Sequence, residues 1–143
     1  MVAPHVSIVT LGVADVAAST SFYEALGLRR SSASNDDITF MRCGTIVLSL
    51  YSRAALAEDA TVFDGGRGGF DGVTMAMNLS TAHEVDEVFA QWVGAGATAL
   101  KSPQAVFWGG YSSYVADPDG HVWELAYNPY SPVGAEGRLQ LSE

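Results

Sequence analysis

The chain begins its patterned region with Val6-Ser7-Ile8-Val9-Thr10-Leu11-Gly12-Val13, a run rich in β-branched residues that predicts a strand. Asp15 then supplies a helix N-cap, and Val16, Phe22, Tyr23 and Leu26 recur at near-helical spacing before Gly27 ends the pattern. Asp37 to Cys43 and Thr45 to Tyr51 are two further strand runs separated only by Gly44, which suits a hairpin or a bulged continuation. The first half therefore reads strand, helix, strands.

The second half repeats that order. Val73 to Leu79 predicts a strand, and Thr81 and Glu84 stand at capping-box spacing. Val85, Val88, Phe89 and Trp92 then share one helical face, with Gly94 and Gly96 as stops. Ala97 to Leu100, Gly110 to Ala116 and His121 to Tyr127 are the remaining strand candidates. Between the halves lies Asp64-Gly65-Gly66-Arg67-Gly68-Gly69, a glycine-rich connector. It lacks the Lys-Ser/Thr that a phosphate-cradling loop needs after its last glycine, so a linker is the better reading. Sliding the first half by about 65 residues sets Ile8 on Val73 and Asp15 on Ser80, which makes the chain a weak internal repeat of two βαβββ units. With only two helices among about seven strands, the expected class is α+β rather than a doubly wound parallel sheet.

Composition narrows the functional classes. Seven Lys and Arg against sixteen Asp and Glu leave a net charge of −9, a field that disfavours nucleic acid and anionic membrane surfaces as partners. The lone Cys43 excludes an internal disulfide and a cysteine metal cage, and its strand-like setting reads as a buried inert thiol. No leader pattern or span of roughly 18 apolar residues is present, so a soluble cytoplasmic protein is expected. Charged residues make up 16% of the chain against a usual ~25%, which points to a buried subunit interface, an apolar cavity or both. No Gly-x-Ser-x-Gly elbow occurs.

The closing hairpin can be built from its turn. Asp117-Pro118-Asp119-Gly120 fits a type I turn with Gly120 in the left-handed bulge position, which pairs Asp117 with His121 and sets Tyr114 opposite Glu124. Ser112, Tyr114, Glu124 and Ala126 then share one face, and Val115, Trp123 and Leu125 share the other. Tyr114 is either a pocket-lining group or a core aromatic whose hydroxyl finds a partner; the carboxylate beside it favours the pocket.

Leu11-Gly12-Val13-Ala14-Asp15 with Ser21-Phe22-Tyr23-Glu24-Ala25-Leu26-Gly27, and Asp117-Pro118-Asp119-Gly120-His121-Val122-Trp123-Glu124-Leu125 near the other end, resemble the opening module and closing hairpin of the glyoxalase, bleomycin-resistance and extradiol-dioxygenase group, the vicinal oxygen chelate superfamily. The resemblance covers about residues 5 to 130. It implies a single domain over 1–143: module one at about 5–64, a connector at 65–72, module two at about 73–130 and a tail at 131–143. It further implies paired βαβββ modules forming a half-open curved mixed sheet around a ligand cavity, commonly in a homodimer.

In metal-using members of that superfamily each module gives two inward ligands, typically His, Gln or Glu. Carried over singly, these positions fall on Ile8, Leu48, Val73 and Glu124, and only Glu124 keeps a ligand type. His5, His83 and His121 do not converge on it by strand parity or helix position. The expectation is therefore no metal and no cofactor. The expected ligand site comprises Ile8, Thr10, Leu48, Val73, Met75, Trp108, Tyr111, Ser112, Tyr114 and Glu124. Met77 and Phe107 extend that wall, though core packing is the stronger role for Met75 and Met77. Phe107-Trp108-Gly109-Gly110 offers aromatics on a glycine-hinged segment. The leading reading is metal-free binding of a small, largely apolar or aromatic molecule, as in antibiotic sequestration, with the acidic balance favouring a cationic or neutral ligand. The alternative is a lyase, isomerase or dioxygenase in which Glu124 is the catalytic base or a metal ligand. A protein with a filled core and no cavity is the third possibility.

Overall fold

The computed structural model describes residues 1–66 and 68–141; Arg67 of the glycine-rich connector lies outside the described residues. Two compact units result, Met1–Gly69 and Phe70–Glu143. Each is a small mixed sheet with helices, so the α+β expectation holds.

The first unit contains β1 (Ile8–Val13), α1 (Val16–Ala25), β2 (Ile38–Cys43), β3 (Ile46–Ser52) and α2 (Arg53–Asp59). Its sheet order is β1-β3-β2, with β1 and β3 parallel and β2 and β3 antiparallel. The first strand of the three expected after α1 is reduced to a single bridge, Arg30 with Met41. The helix α1 starts where Asp15 accepts the Ala18 N–H at 3.0 Å. It packs on β2 and β3, and a buried Thr20–Thr39 hydroxyl contact of 2.8 Å ties it to β2. That contact identifies the face beneath α1: Thr39 is level with Leu50, Met41 with Leu48 and Leu11 with Leu50. Leu11, Val13, Met41, Leu48 and Leu50 are buried there with Phe22 and Tyr23. Helix α2 was not expected from the sequence. Ser52 caps it by accepting the Ala55 N–H, and a Cβ on Gly12 would come within 3.1 Å of the Arg53 Cα, so the helix start covers that end of the other face.

The second unit holds the complete βαβββ pattern: β4 (Thr74–Leu79), α3 (Ala82–Ala95), β5 (Thr98–Ala105), β6 (Tyr111–Ala116) and β7 (Val122–Tyr127), in sheet order β4-β7-β6-β5. The strand expected at Ala97 to Leu100 is longer than foreseen and runs to Ala105. Thr81 accepts the Glu84 N–H, and the Glu84 carboxylate reaches back to the Ser80 N–H, which satisfies two donors of the α3 N-terminus. Gly96 ends the helix at φ 116°, a left-handed position that favours glycine. Trp92 of α3 meets Trp123 of β7 at 5.2 Å between ring centroids, and Val85, Trp92, Val115, Trp123 and Leu125 are buried.

Candidate ligand-binding site

The closing hairpin sets the second unit's geometry. The Asp117 N–H donates to the His121 carbonyl and the Gly120 N–H to the Asp117 carbonyl, both at 2.9 Å. The buried Asp117 carboxylate accepts the backbone N–H groups of Asp119 and His121 and lies 2.9 Å from His121 Nδ1. This turn fixes the register that places Tyr114 opposite Glu124. Ser112, Tyr114 and Ala116 of β6 thus share a face with Val122, Glu124 and Ala126 of β7, and with Thr74, Ala76 and Asn78 of β4. Burial, the Glu124 charge and a hydrogen bond to Glu124 all push the Tyr114 phenol above its ordinary value.

Several expected site residues lie elsewhere. Tyr111 is on the α3 side, where its hydroxyl donates to Asp86 at 2.7 Å. Met75 shares that side, being level with Trp123. Val73 precedes β4 and is exposed. Phe107 is fully exposed and forms no wall. Trp108 sits in the Val106–Gly110 turn between β5 and β6 and is 44% exposed, its ring folded over Gly110.

In the first unit Ile8 and Thr10 share the face opposite α1, level with Val47 and Ser49, while Phe40 and Arg42 of β2 complete the two rows. Leu48 has the other parity and is wholly buried beneath α1, so it is a core residue and not a site residue. A cleft of about 330 Å³ opens on this face, lined by Ile8, Val47, Phe40, Arg42, Ser31 and Ala33. The Ser49 hydroxyl is buried on the same face without a hydrogen-bond partner among the described residues. Phe40, Arg42, Val47 and Ser31 were not foreseen. The available signal was a lone arginine in a strand at the parity of Phe40.

The capping residues also correct the repeat. Asp15 and Thr81 perform the same role, so the offset is 66 residues and Ile8 corresponds to Thr74 rather than Val73. The parallel ladders then match Ser49, beside Thr10, with Glu124, beside Ala76.

A profile of the Glyoxalase/Bleomycin resistance protein/Dioxygenase superfamily matches residues 4–125. The chain belongs to this superfamily. It is similar to a glyoxalase-related enzyme from Fulvimarina pelagi, at 36% identity and a TM-score of 0.86 over 97% of this chain and 99% of that one. The glyoxalase fold is also seen in a family enzyme from Burkholderia phytofirmans PsJN (20% identity, TM-score 0.75, 85% and 96% covered). A lactoylglutathione lyase from Agrobacterium tumefaciens is a further structural neighbour (23%, 0.65, 87% and 93%). The sequence has no match among curated proteins.

With the corrected register, the superfamily's metal positions are Ile8 and Ser49 in the first unit, and Thr74 and Glu124 in the second. Neither pair fits a metal: Ile8 and Ser49 offer one hydroxyl, and Thr74 and Glu124 one hydroxyl and one carboxylate, against the roughly three His, Cys or carboxylate ligands that a site needs. The histidines serve other contacts: His5 Nδ1 lies 2.9 Å from the Ala3 carbonyl, His83 pairs with Glu87, and His121 with Asp117. Among the described residues, no three His, Cys, Asp or Glu side chains gather into a metal-binding group. Half-buried Cys43 has its thiol pushed up by burial, which keeps it protonated and a poor nucleophile. No helix of the described residues is long and apolar enough to cross a membrane.

Proposed function

We propose that this superfamily member binds a small, largely apolar or aromatic molecule on its sheet faces without a metal, as a sequestering protein would. The observation that carries the reading is the first-unit cleft, whose volume falls at the lower end of ordinary ligand pockets and whose floor is Ile8, Val47 and Phe40. A thermal-shift screen with aromatic and aliphatic compounds, uncharged, anionic and cationic, run before and after dialysis against a chelator, tests it. Binders raise the melting temperature by mass action, and the shift survives chelation. A shift that needs an added divalent ion overturns the metal-free part, and a screen without any binder overturns the rest.

A second reading rests on the Tyr114–Glu124 pair. A carboxylate beside a phenol that holds its proton tightly is a general base next to a hydrogen-bond donor, as a lyase or isomerase of the glyoxalase type could use. Glu124→Gln should then abolish turnover of a compound found in the screen while preserving its binding. The proposal also includes a homodimer in the cytoplasm, for which light scattering should report about twice the 15.1 kDa chain mass. The net charge of −9 leaves nucleic acid outside it.

A further inference from the structure

The cleft's one charged group suggests what class of molecule it takes, an argument that rests on the binding reading above. The strands β1, β2 and β3 contain no aspartate or glutamate, and Arg42 is their only charged residue. It is exposed, and no carboxylate among the described residues pairs with it. In a chain of net charge −9, an arginine without an acidic partner at an apolar cleft is a specific feature.

Its surroundings are arranged in a row. Ile8 is level with Val47, and Val47 with Arg42, so the three side chains lie across adjacent strands on one face. Strand spacing puts Ile8 roughly 10 Å from Arg42. Ser31 stands beside the same cleft, its hydroxyl accepting the Ala33 N–H at 3.1 Å and keeping a proton to donate. The cleft thus offers two donors at one end, an aliphatic floor at the other, and no carboxylate in its lining. A guanidinium binds a carboxylate through two parallel hydrogen bonds, a geometry that a cationic or neutral head cannot reproduce.

We infer that the first-unit cleft selects a carboxylate carried on a short apolar or aromatic body, with Arg42 holding the carboxylate and Val47 and Ile8 receiving the body. The preference drawn from net charge alone, for cationic or neutral ligands, does not apply at this face. Charges beyond about 8 Å are largely screened at physiological ionic strength, and the face itself carries only the arginine.

The test compares phenylacetate with phenylacetamide, the same body with and without the charge, by amide chemical-shift titration of the full chain and of Arg42→Gln. Because Arg42 is exposed, the variant should fold, and its unperturbed spectrum verifies this. Phenylacetate should bind about tenfold or more tightly than the amide, with shifts at Ile8, Val47 and Ser31, and the gap should close in Arg42→Gln. Equal binding of both probes at the cleft, or a gap that survives in the variant, overturns the carboxylate assignment and leaves apolar binding standing. Failure of both probes to move the cleft amides at millimolar concentration overturns the cleft itself as the binding site.

Discussion

Tyr114 and Glu124 stand directly opposite each other on β6 and β7, and the phenol holds its proton above the ordinary tyrosine value because it is desolvated and faces a carboxylate. A phenol whose folded value is raised contributes stability that is complete below the unfolded value of about 10 and is lost as the pH climbs through the folded one. Urea unfolding between pH 9 and pH 11, roughly spanning that range, should therefore show a fall that is smaller in Tyr114→Phe. Glu124→Gln should lower the Tyr114 titration midpoint, read from phenolate absorbance against Tyr114→Phe. Only part of the shift should disappear, since desolvation, its largest single cause, stays in place. An unchanged midpoint in Glu124→Gln would mean that the two side chains do not interact.

Leu48 and Val47 are neighbours in sequence with opposite tasks. Leu48 is fully buried against Met41 and Val9 on the α1 side, so Leu48→Ala should cost about 2–5 kcal/mol of unfolding free energy and leave cleft affinity unchanged in the folded fraction. Val47 is half-buried on the cleft floor, and Val47→Ala should cost under about 1.5 kcal/mol while weakening any cleft ligand. Denaturant titration beside probe titration separates the two, and reversed effects would assign the faces the other way.

That pair also shows where the sequence was readable. The Asp117-Pro118-Asp119-Gly120 turn has chemistry that dictates its own register, so Tyr114, Glu124 and their shared face followed from counting outward. In the first module no such turn anchors the count, and weak internal identity set the repeat one residue short. That step put Val73 where Thr74 belongs, and the separate carry-over to Leu48 fell one residue short of Ser49; because strand side chains alternate, each step changes the face. The side of Tyr111 is legible by its parity with Val115 on one strand, whereas that of Met75 depends on the β4–β7 register that levels it with Trp123. Helix α2 had a signal too: Ser52 as a cap before Arg53-Ala54-Ala55-Leu56-Ala57-Glu58, all good helix formers. The cleft was not legible, because the approach of Ser31 and Ala33 to the sheet depends on the isolated Arg30–Met41 bridge and on the Ser31 N–H and Ser34 hydroxyl, which bond the Phe40 backbone.

Gly110 and Trp108 give the remaining prediction. A Cβ on buried Gly110 would come within 2.2 Å of the Trp108 ring, so the indole lies flush on a position that only glycine leaves open. By alternation Gly110 has the parity of Ser112 and Tyr114, which places the ring at the end of the Glu124 face. Gly110→Ala should displace the indole into solvent and red-shift tryptophan emission, with no such change when Trp108→Phe is the background. Since the ring is 44% exposed, Trp108→Ala should cost about 1–2 kcal/mol from lost apolar contact, less than the ~3–5 kcal/mol of a buried aromatic truncation. If Trp108→Ala instead unfolds the protein at moderate temperature, the indole is a structural plug and the Val106–Gly110 turn has no part in binding. If the variant stays folded and a compound from the screen binds it at least tenfold less tightly, the ring contacts ligand directly.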